Sequence, residues 1–195
     1  LIPRPETEEV TQWVIDTLKS DYTDIMPKVL DIGTGSGCIP ITLMKKVPNI
    51  EAWGVDISRP AIKAAATNAF HNQVPVHFQQ LNILARRKWD RQPNFHVIVS
   101  NPPYIPVDEK KLMPERVKKH EPTDALFVKN KNPIFFYDVI SDFAKEKLHK
   151  GGHLFFETNE FNAEKVVAML EKKRFEPVQL FQNPKRYNYF IFPET

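Results

Sequence analysis

Cysteine occurs once among the 195 residues, as Cys38. An internal disulfide is therefore excluded, and a reducing compartment suits the chain. The histidines, 6 in all, are scattered. None has metal-ligand spacing with Cys38 or with a second histidine, so no metal site is expected. No apolar run approaches the ~18 residues that span a bilayer. A cleavable signal pattern is missing too, because Leu1-Ile2-Pro3-Arg4-Pro5 turns polar within a few residues. Charge of one sign is barely in excess: 27 Lys and Arg stand against 24 Asp and Glu, a formal net charge of +3. That balance is compatible with a nucleic-acid partner without arguing for one. Lys118-Lys119-His120 and Lys172-Lys173-Arg174 read as solvated faces. There is no internal repeat and no domain-sized linker. The expectation is an intracellular globular chain, of the cytoplasm or the mitochondrial matrix, forming one domain over residues 1–195. A monomer is the default. The opening lacks an initiating methionine and is motif-like, which reads as a fragment of a longer protein.

Short β-rich runs alternate with helical patterns, the signature of an α/β domain with a mostly parallel sheet. Glu6 to Ser20 reads as a helix with Val10, Trp13, Val14 and Leu18 on one face. Lys28 to Ile32 is a buried strand running into a glycine-rich turn. Ile39 to Val47 follows as a helix, with Pro40 tolerable in the first turn. Ala52 to Asp56 is a second strand, and a helix then opens at Ser58, a candidate N-cap, with Ala61 to Phe70 helix-prone. Val76 to Leu81 and Phe95 to Ser100 supply strands three and four. Ile105 to Asn132, rich in Pro, Lys and Glu, reads as an irregular lid with one helical turn. Ile134 to Leu148 is helical, and Lys150-Gly151-Gly152 is expected to cap it. His153 to Thr158 is a fifth strand and Ala163 to Lys173 a helix. Phe175 to Phe181 and Tyr187 to Phe192 resemble an antiparallel pair joined across Asn183-Pro184.

Gly33-Thr34-Gly35-Ser36-Gly37 sits between a strand and a helix, where glycines let the backbone turn sharply and approach a ligand. The dinucleotide fingerprint G-x-G-x-x-G/A does not fit: the third glycine comes one residue early, and Cys38 stands where Gly or Ala is wanted. The spacing after Val29-Leu30-Asp31 instead resembles the cofactor loop of class I methyltransferases, although a tight turn alone would also use these glycines. Asp56, which ends the second strand just before Ile57, is placed to accept both ribose hydroxyls of a nucleoside. As an alternative, it is merely a strand-end aspartate before a helix. Asp31 is expected below the methionine part of the ligand, attracting its ammonium. Asn82 is expected to hydrogen-bond the adenine, with Ile83 against the ring.

Asn101-Pro102-Pro103-Tyr104 follows the buried strand that ends Val97-Ile98-Val99-Ser100. In open α/β sheets ligands bind outside the carboxyl ends of the strands, so this segment faces the same mouth as the glycine loop, and Asn101 borders both cofactor and acceptor. Two prolines restrict the backbone and hold the Asn101 side chain and the Pro102 carbonyl in fixed orientation. Both offer acceptor oxygens, which suits an NH2 group whose two hydrogens are bound while its lone pair is aimed at a methyl sulfonium. Tyr104 supplies a flat wall for a planar amide or base. A proline turn closing a strand is the plainer alternative.

Four stretches together are similar to the HemK/PrmC family of release factor glutamine N5-methyltransferases. These are Leu1-Ile2-Pro3-Arg4-Pro5-Glu6-Thr7, Val29 to Gly37, Ser100 to Ile105, and Glu121-Pro122 with Ala125-Leu126. The Asn-Pro-Pro-Tyr tetrapeptide is shared with adenine N6-methyltransferases of DNA and RNA, whereas the opening stretch is more particular. The resemblance implies a class I, Rossmann-like fold with a mostly parallel seven-stranded sheet and a C-terminal antiparallel pair. It implies S-adenosyl-L-methionine as cofactor, held by Asp31, Gly33 to Gly37, Asp56, Ile57, Asn82, Ile83 and Asn101. It implies that Asn101 and Pro102, with Pro103 and Tyr104, bind a glutamine amide, and that Arg4, Pro5 and Thr7 line the site; for Arg4 a surface ion pair is the alternative. The partner would be a class 1 peptide-chain release factor, with no stable nucleic-acid or membrane binding.

The chain departs from the family pattern at Phe127 to Asn132, at Thr158-Asn159-Glu160, where a glycine is expected, and at Gln182-Asn183-Pro184-Lys185. The family's helical N-terminal domain does not fall within residues 1–195. Two other readings remain: an adenine N6-methyltransferase, whose target base would be flipped out and stacked on Tyr104, and a non-catalytic module that stabilises a partner.

Overall fold

In the computed structural model, residues 5–103, 105–106, 127–128, 132–182 and 188–193 are described. Helix α1 (Pro5–Asp21) places Val10, Val14, Ile15 and Leu18 at a spacing of three to four residues, and all four are buried. That stripe packs on Val29, Val97, Val99 and Phe155 from one face of a sheet, together with Ile39 and Leu43 of α2 (Cys38–Lys46). The alternating residues Leu30, Ile98, Leu154 and Phe156 point the other way. They meet Tyr137, Ile140 and Phe143 of α4 (Phe135–Lys147), and Val166 and Leu170 of α5 (Glu160–Lys172). A sheet covered on both faces explains why its strands read as continuous apolar runs.

The sheet order is β3-β2-β1-β4-β7-β9-β8. Strands β1 (Lys28–Ile32), β2 (Glu51–Asp56), β3 (His77–Gln80), β4 (Phe95–Ser100) and β7 (Leu148–Asn159) are parallel to one another. Strand β9 (Asn188–Pro193) lies antiparallel between β7 and β8 (Val178–Gln182). Two short segments, β5 (Ile105–Pro106) and β6 (Phe127–Val128), pair with each other. The remainder of the expected lid, and the Asn183-Pro184 joint, lie outside the described residues.

Chain order runs outward from β1 in both directions, to β2 and β3 on one side and to β4 and β7 on the other. The switch point therefore falls between β1 and β4. Ligands of open α/β sheets bind at that crevice, outside the carboxyl ends. The glycine loop after β1 and Asn101 after β4 flank it.

Local chemistry accounts for most boundaries. Helix α3 (Arg59–His71) starts at Ser58, whose side chain accepts a bond from the Ala61 amide at 3.3 Å. Helix α5 begins three residues earlier than its apolar pattern indicates, because Asn159 caps it: its side chain accepts from the Asn162 amide at 3.0 Å. The sequence departure at Thr158-Asn159-Glu160 is thus a helix start. Phe175, expected in a strand, instead lies buried in the core ahead of β8.

A second expectation is overturned at the end of α4. Gly151 and Gly152 do not cap α4, which ends at Lys147 and passes directly into β7. The two glycines sit where the β4–β7 register jumps, between the pairs Phe95–Leu148 and Val97–His153. Gly151 has φ +74, and a Cβ on Gly152 would lie 2.8 Å from the His149 carbonyl oxygen and 2.9 Å from that of His96. The glycines serve an irregularity in a ladder, where backbones approach closely.

Candidate active site

The loop between β1 and α2 is tied to the end of β2. The Gly33 and Thr34 amides both donate to the Val55 carbonyl, at 2.8 and 3.0 Å, and the Gly37 amide closes a turn on the Thr34 carbonyl at 2.8 Å. Gly33, Gly35 and Gly37 all have positive φ. Their reasons differ. A Cβ on Gly33 would meet nothing within 4 Å, so that glycine leaves open space in front of the loop. A Cβ on Gly37 would lie 2.9 Å from the Phe78 ring and 3.0 Å from Ala65 Cβ, so that glycine is required by packing as well as by its φ of +80.

Asp56 organises the same loop. One carboxylate oxygen accepts from the Gly35 amide at 3.0 Å and the other from the Ser58 amide at 2.8 Å. A carboxylate offers about four lone-pair sites, so both oxygens retain capacity for hydroxyls. Ile57 beside it is 57% exposed, an apolar side chain turned to solvent at the mouth. Asp31, one strand over, is 3% exposed. Burial above all pushes its carboxyl up to about 7; the Asp56 charge adds to the rise, and the Thr34 side chain works against it.

Asn82 lies beyond β3, and its side-chain oxygen accepts from the Leu84 amide at 3.0 Å, shaping its own turn. Ile83 packs in the core, 8% exposed, and its carbonyl accepts from the buried Trp89 indole at 2.8 Å. Little of Ile83 is left for a ring to cover. Ile57 is the more open apolar surface.

Ser100 locks β4 to β1 by donating its hydroxyl to the Ile32 carbonyl at 2.7 Å, fully buried. Asn101 and Pro103 follow half-buried and Pro102 buried, at the carboxyl end of the strand. Thr7, in the first turn of α1, is half-buried, and its hydroxyl donates to the Glu157 carboxylate at 3.4 Å. Thr7 also lines a cleft of about 440 Å³ with Thr11, Ser36, Cys38, Ile41 and Asn68, so the first turn of α1 borders the glycine loop. Arg4, Tyr104 and the Pro5 side chain lie outside the described residues. Among the described residues, no group of three or more His, Cys, Asp or Glu side chains is arranged to hold a metal.

Three contributors escaped the sequence reading. The Asn68 side chain donates to the Ser36 carbonyl at 2.9 Å, holding the loop from α3. Phe78 fills the space beneath Gly37 and Gly54. Gly54 itself carries a readable signal: glycine inside a strand marks a close approach, and here a Cβ would lie 2.7 Å from Phe78.

A five-strand parallel core with its switch point between β1 and β4, a glycine loop and an acid at the end of β2 make this a class I, Rossmann-like S-adenosylmethionine-dependent methyltransferase fold. Ribosomal protein L11 methylase from Lactobacillus delbrueckii subsp. bulgaricus shares that fold at a TM-score of 0.67, with 18% identity, 99% of this chain and 80% of that one covered. The chain belongs to the methyltransferase small domain family, whose model matches residues 5–117. Among curated relatives, the release factor glutamine methyltransferase of Flavobacterium psychrophilum is 42% identical over 181 residues, 92% of this chain and 62% of that protein. Its counterpart from Bacteroides thetaiotaomicron is 36% identical, over 94% of this chain and 64% of that protein. The chain thus spans rather less than two thirds of the length of these relatives. No helix among the described residues is long and apolar enough to cross a membrane.

Proposed function

We propose that residues 1–195 are the catalytic domain of an S-adenosylmethionine-dependent protein-glutamine N5-methyltransferase, and that its substrate is the Gly-Gly-Gln glutamine of a class 1 release factor. The observation that carries this reading is the placement of Asn101-Pro102-Pro103 at the end of β4, across the switch point from the glycine loop, in a chain whose curated relatives are release factor glutamine methyltransferases. The residues present fit the cofactor. Gly33 leaves open space before the loop, Asp56 has acceptor sites to spare for ribose hydroxyls, and Ile57 exposes an apolar surface for a base. Asp31, buried below the loop, fits an ammonium group. When bound, S-adenosylmethionine supplies a methyl group already activated on a sulfonium, so the chain needs no covalent nucleophile.

What the chain supplies is position. The Asn101 side-chain oxygen and the Pro102 carbonyl take the two N–H bonds of the glutamine amide and turn its nitrogen toward the methyl group. Tyr104, next in sequence after Pro103, is assigned the role of a flat wall for the amide plane. An amide nitrogen is a poor nucleophile through resonance, so orientation has to supply much of the acceleration, on the order of 7–11 kcal/mol at best. The two acceptor oxygens also favour the positive charge that develops on nitrogen. Ser100, bonded to Ile32, keeps the slot at a fixed height above the loop.

The test is mass spectrometry of release factors from bacteria, mitochondria and cytosol after incubation with the chain and S-adenosylmethionine. A single methyl on the Gly-Gly-Gln glutamine, lost in Asn101→Ala, is expected. Methylation of adenine in DNA or RNA, with none on protein, would replace the reading with the nucleic-acid one.

A further inference from the structure

Glu157 is a carboxylate 3% exposed at the mouth end of β7, in a position to which nothing above assigns a role. A buried carboxylate is costly unless its oxygens are hydrogen-bonded, and this residue is held both at its side chain and at its backbone. On the α1 side its Oε2 accepts the Thr7 hydroxyl at 3.4 Å. On the opposite face its backbone carbonyl accepts the hydroxyl of the fully buried Tyr137 at 3.2 Å.

The register places Glu157 against the acceptor slot. The β4–β7 ladder ends at the pair Ser100–Phe156, so Asn101 and Glu157 each come one residue beyond it, on neighbouring chain segments. The faces agree as well. Val97 and Val99 on β4 and Phe155 on β7 all pack toward α1, and the Thr7 contact fixes Glu157 on that side. Asn101 is the first residue past β4 and is half-buried; one further step of the alternation would turn it to the same face. Thr7 is itself held within α1, since its carbonyl accepts the Thr11 hydroxyl at 2.6 Å.

We infer that Glu157 is a positioning residue of the acceptor slot: its carboxylate clamps the first turn of α1 to the end of β7, and so sets the wall that faces Asn101. The inference rests on the glutamine-methylation reading. Because Thr7 also borders the cleft beside Ser36 and Cys38, the same clamp fixes how far the α1 wall stands from the glycine loop. The α1 wall and the end of β7 are thereby joined through a hydrogen bond between residues 150 positions apart. In this arrangement Glu157 acts through α1.

The experiment compares Glu157→Gln, Thr7→Val and the double variant, with Thr7→Ser as the conservative rescue. Amide exchange over residues 6–11, read without substrate, should speed up in both single variants and return toward wild type in Thr7→Ser. Calorimetric affinity for S-adenosylmethionine should change by less than about threefold. With a release factor as substrate, kcat/KM should fall by about tenfold or more in each single variant, since small misplacements of an oriented acceptor are costly. The double variant should be no worse than the poorer single one, the mark of two residues acting as a unit. Unchanged exchange, or losses that simply add, would overturn the clamp. If wild type methylates a release factor and Glu157→Gln matches it, the inference fails while the function stands. A wild-type chain that methylates no release factor overturns the glutamine reading, and exchange and additivity then decide the clamp by themselves.

Discussion

Replacing Asp31 by asparagine should stabilise the ligand-free protein and weaken its hold on S-adenosylmethionine. Asp31 is 3% exposed, and its carboxyl is pushed from 3.8 up to about 7, chiefly by burial. A raised carboxyl pKa means the folded state holds a proton that the unfolded chain releases. Stability from this group is therefore complete below about pH 4 and is lost as pH climbs toward 7. By linkage the ionisation penalty grows from about 2 kcal/mol at pH 5 to about 4 kcal/mol at pH 8. Asparagine keeps the shape and removes the charge. The stability gap between Asp31→Asn and wild type should widen by about 2–3 kcal/mol over that range, or roughly 5–10 °C in melting temperature for a chain of this size. Urea and thermal melts at several pH values read it directly. Calorimetry supplies the other half: an ammonium beside Asp31 favours the ionised form, so wild-type affinity for the cofactor should decline as pH drops below 7, while the variant binds at least about tenfold more weakly and without that dependence. A stability gap that stays constant between pH 5 and pH 8 would refute the reasoning, because the burial of the charge would then not be what Asp31 contributes.

Asn101→Ala should lower kcat for glutamine methylation by about 10²–10³-fold with an unchanged melting temperature, as followed by the rate of methyl incorporation. Gly37→Ala should destabilise the fold by about 2–4 kcal/mol, since its φ of +80 and the Phe78 ring 2.9 Å from the added Cβ both oppose the methyl group; denaturant titration measures it. Asn159→Ala removes the cap of α5 and should lose about 1 kcal/mol in the same titration. Burial, with the charges of His149 and Lys28, holds His96 below its ordinary pKa of 6.5. The unfolded chain therefore takes up the proton first, and His96-linked stability is lost as pH falls through that region; a His96→Asn melt series should be flatter below pH 6.5 than wild type.

The amino-acid order carried the parts of the site that depend on neighbouring residues. A glycine run between a strand and a helix has few conformations open to it, and Gly33, Gly35 and Gly37 adopt the left-handed backbone such a turn needs. Asp56 ends β2 as expected, Ser58 caps α3, and Phe95–Ser100 is the strand that delivers Asn101. These features are settled within a few residues by backbone sterics and capping. Contacts between segments far apart in the chain were decided by tertiary structure. Nothing local says that Gly151-Gly152 will ease a register jump instead of capping a helix, because one of the two carbonyls that crowd Gly152, that of His96, comes from the neighbouring strand β4. Nothing local says that Asn68 will hold the glycine loop, that Phe78 will floor it, or that Glu157 will meet Thr7. Asp31 makes the division plain: the sequence set a carboxylate next to the loop, but its unusual affinity for a proton comes from the packed elements that exclude water from around it, and that exclusion exists only once the sheet and its covering helices have assembled.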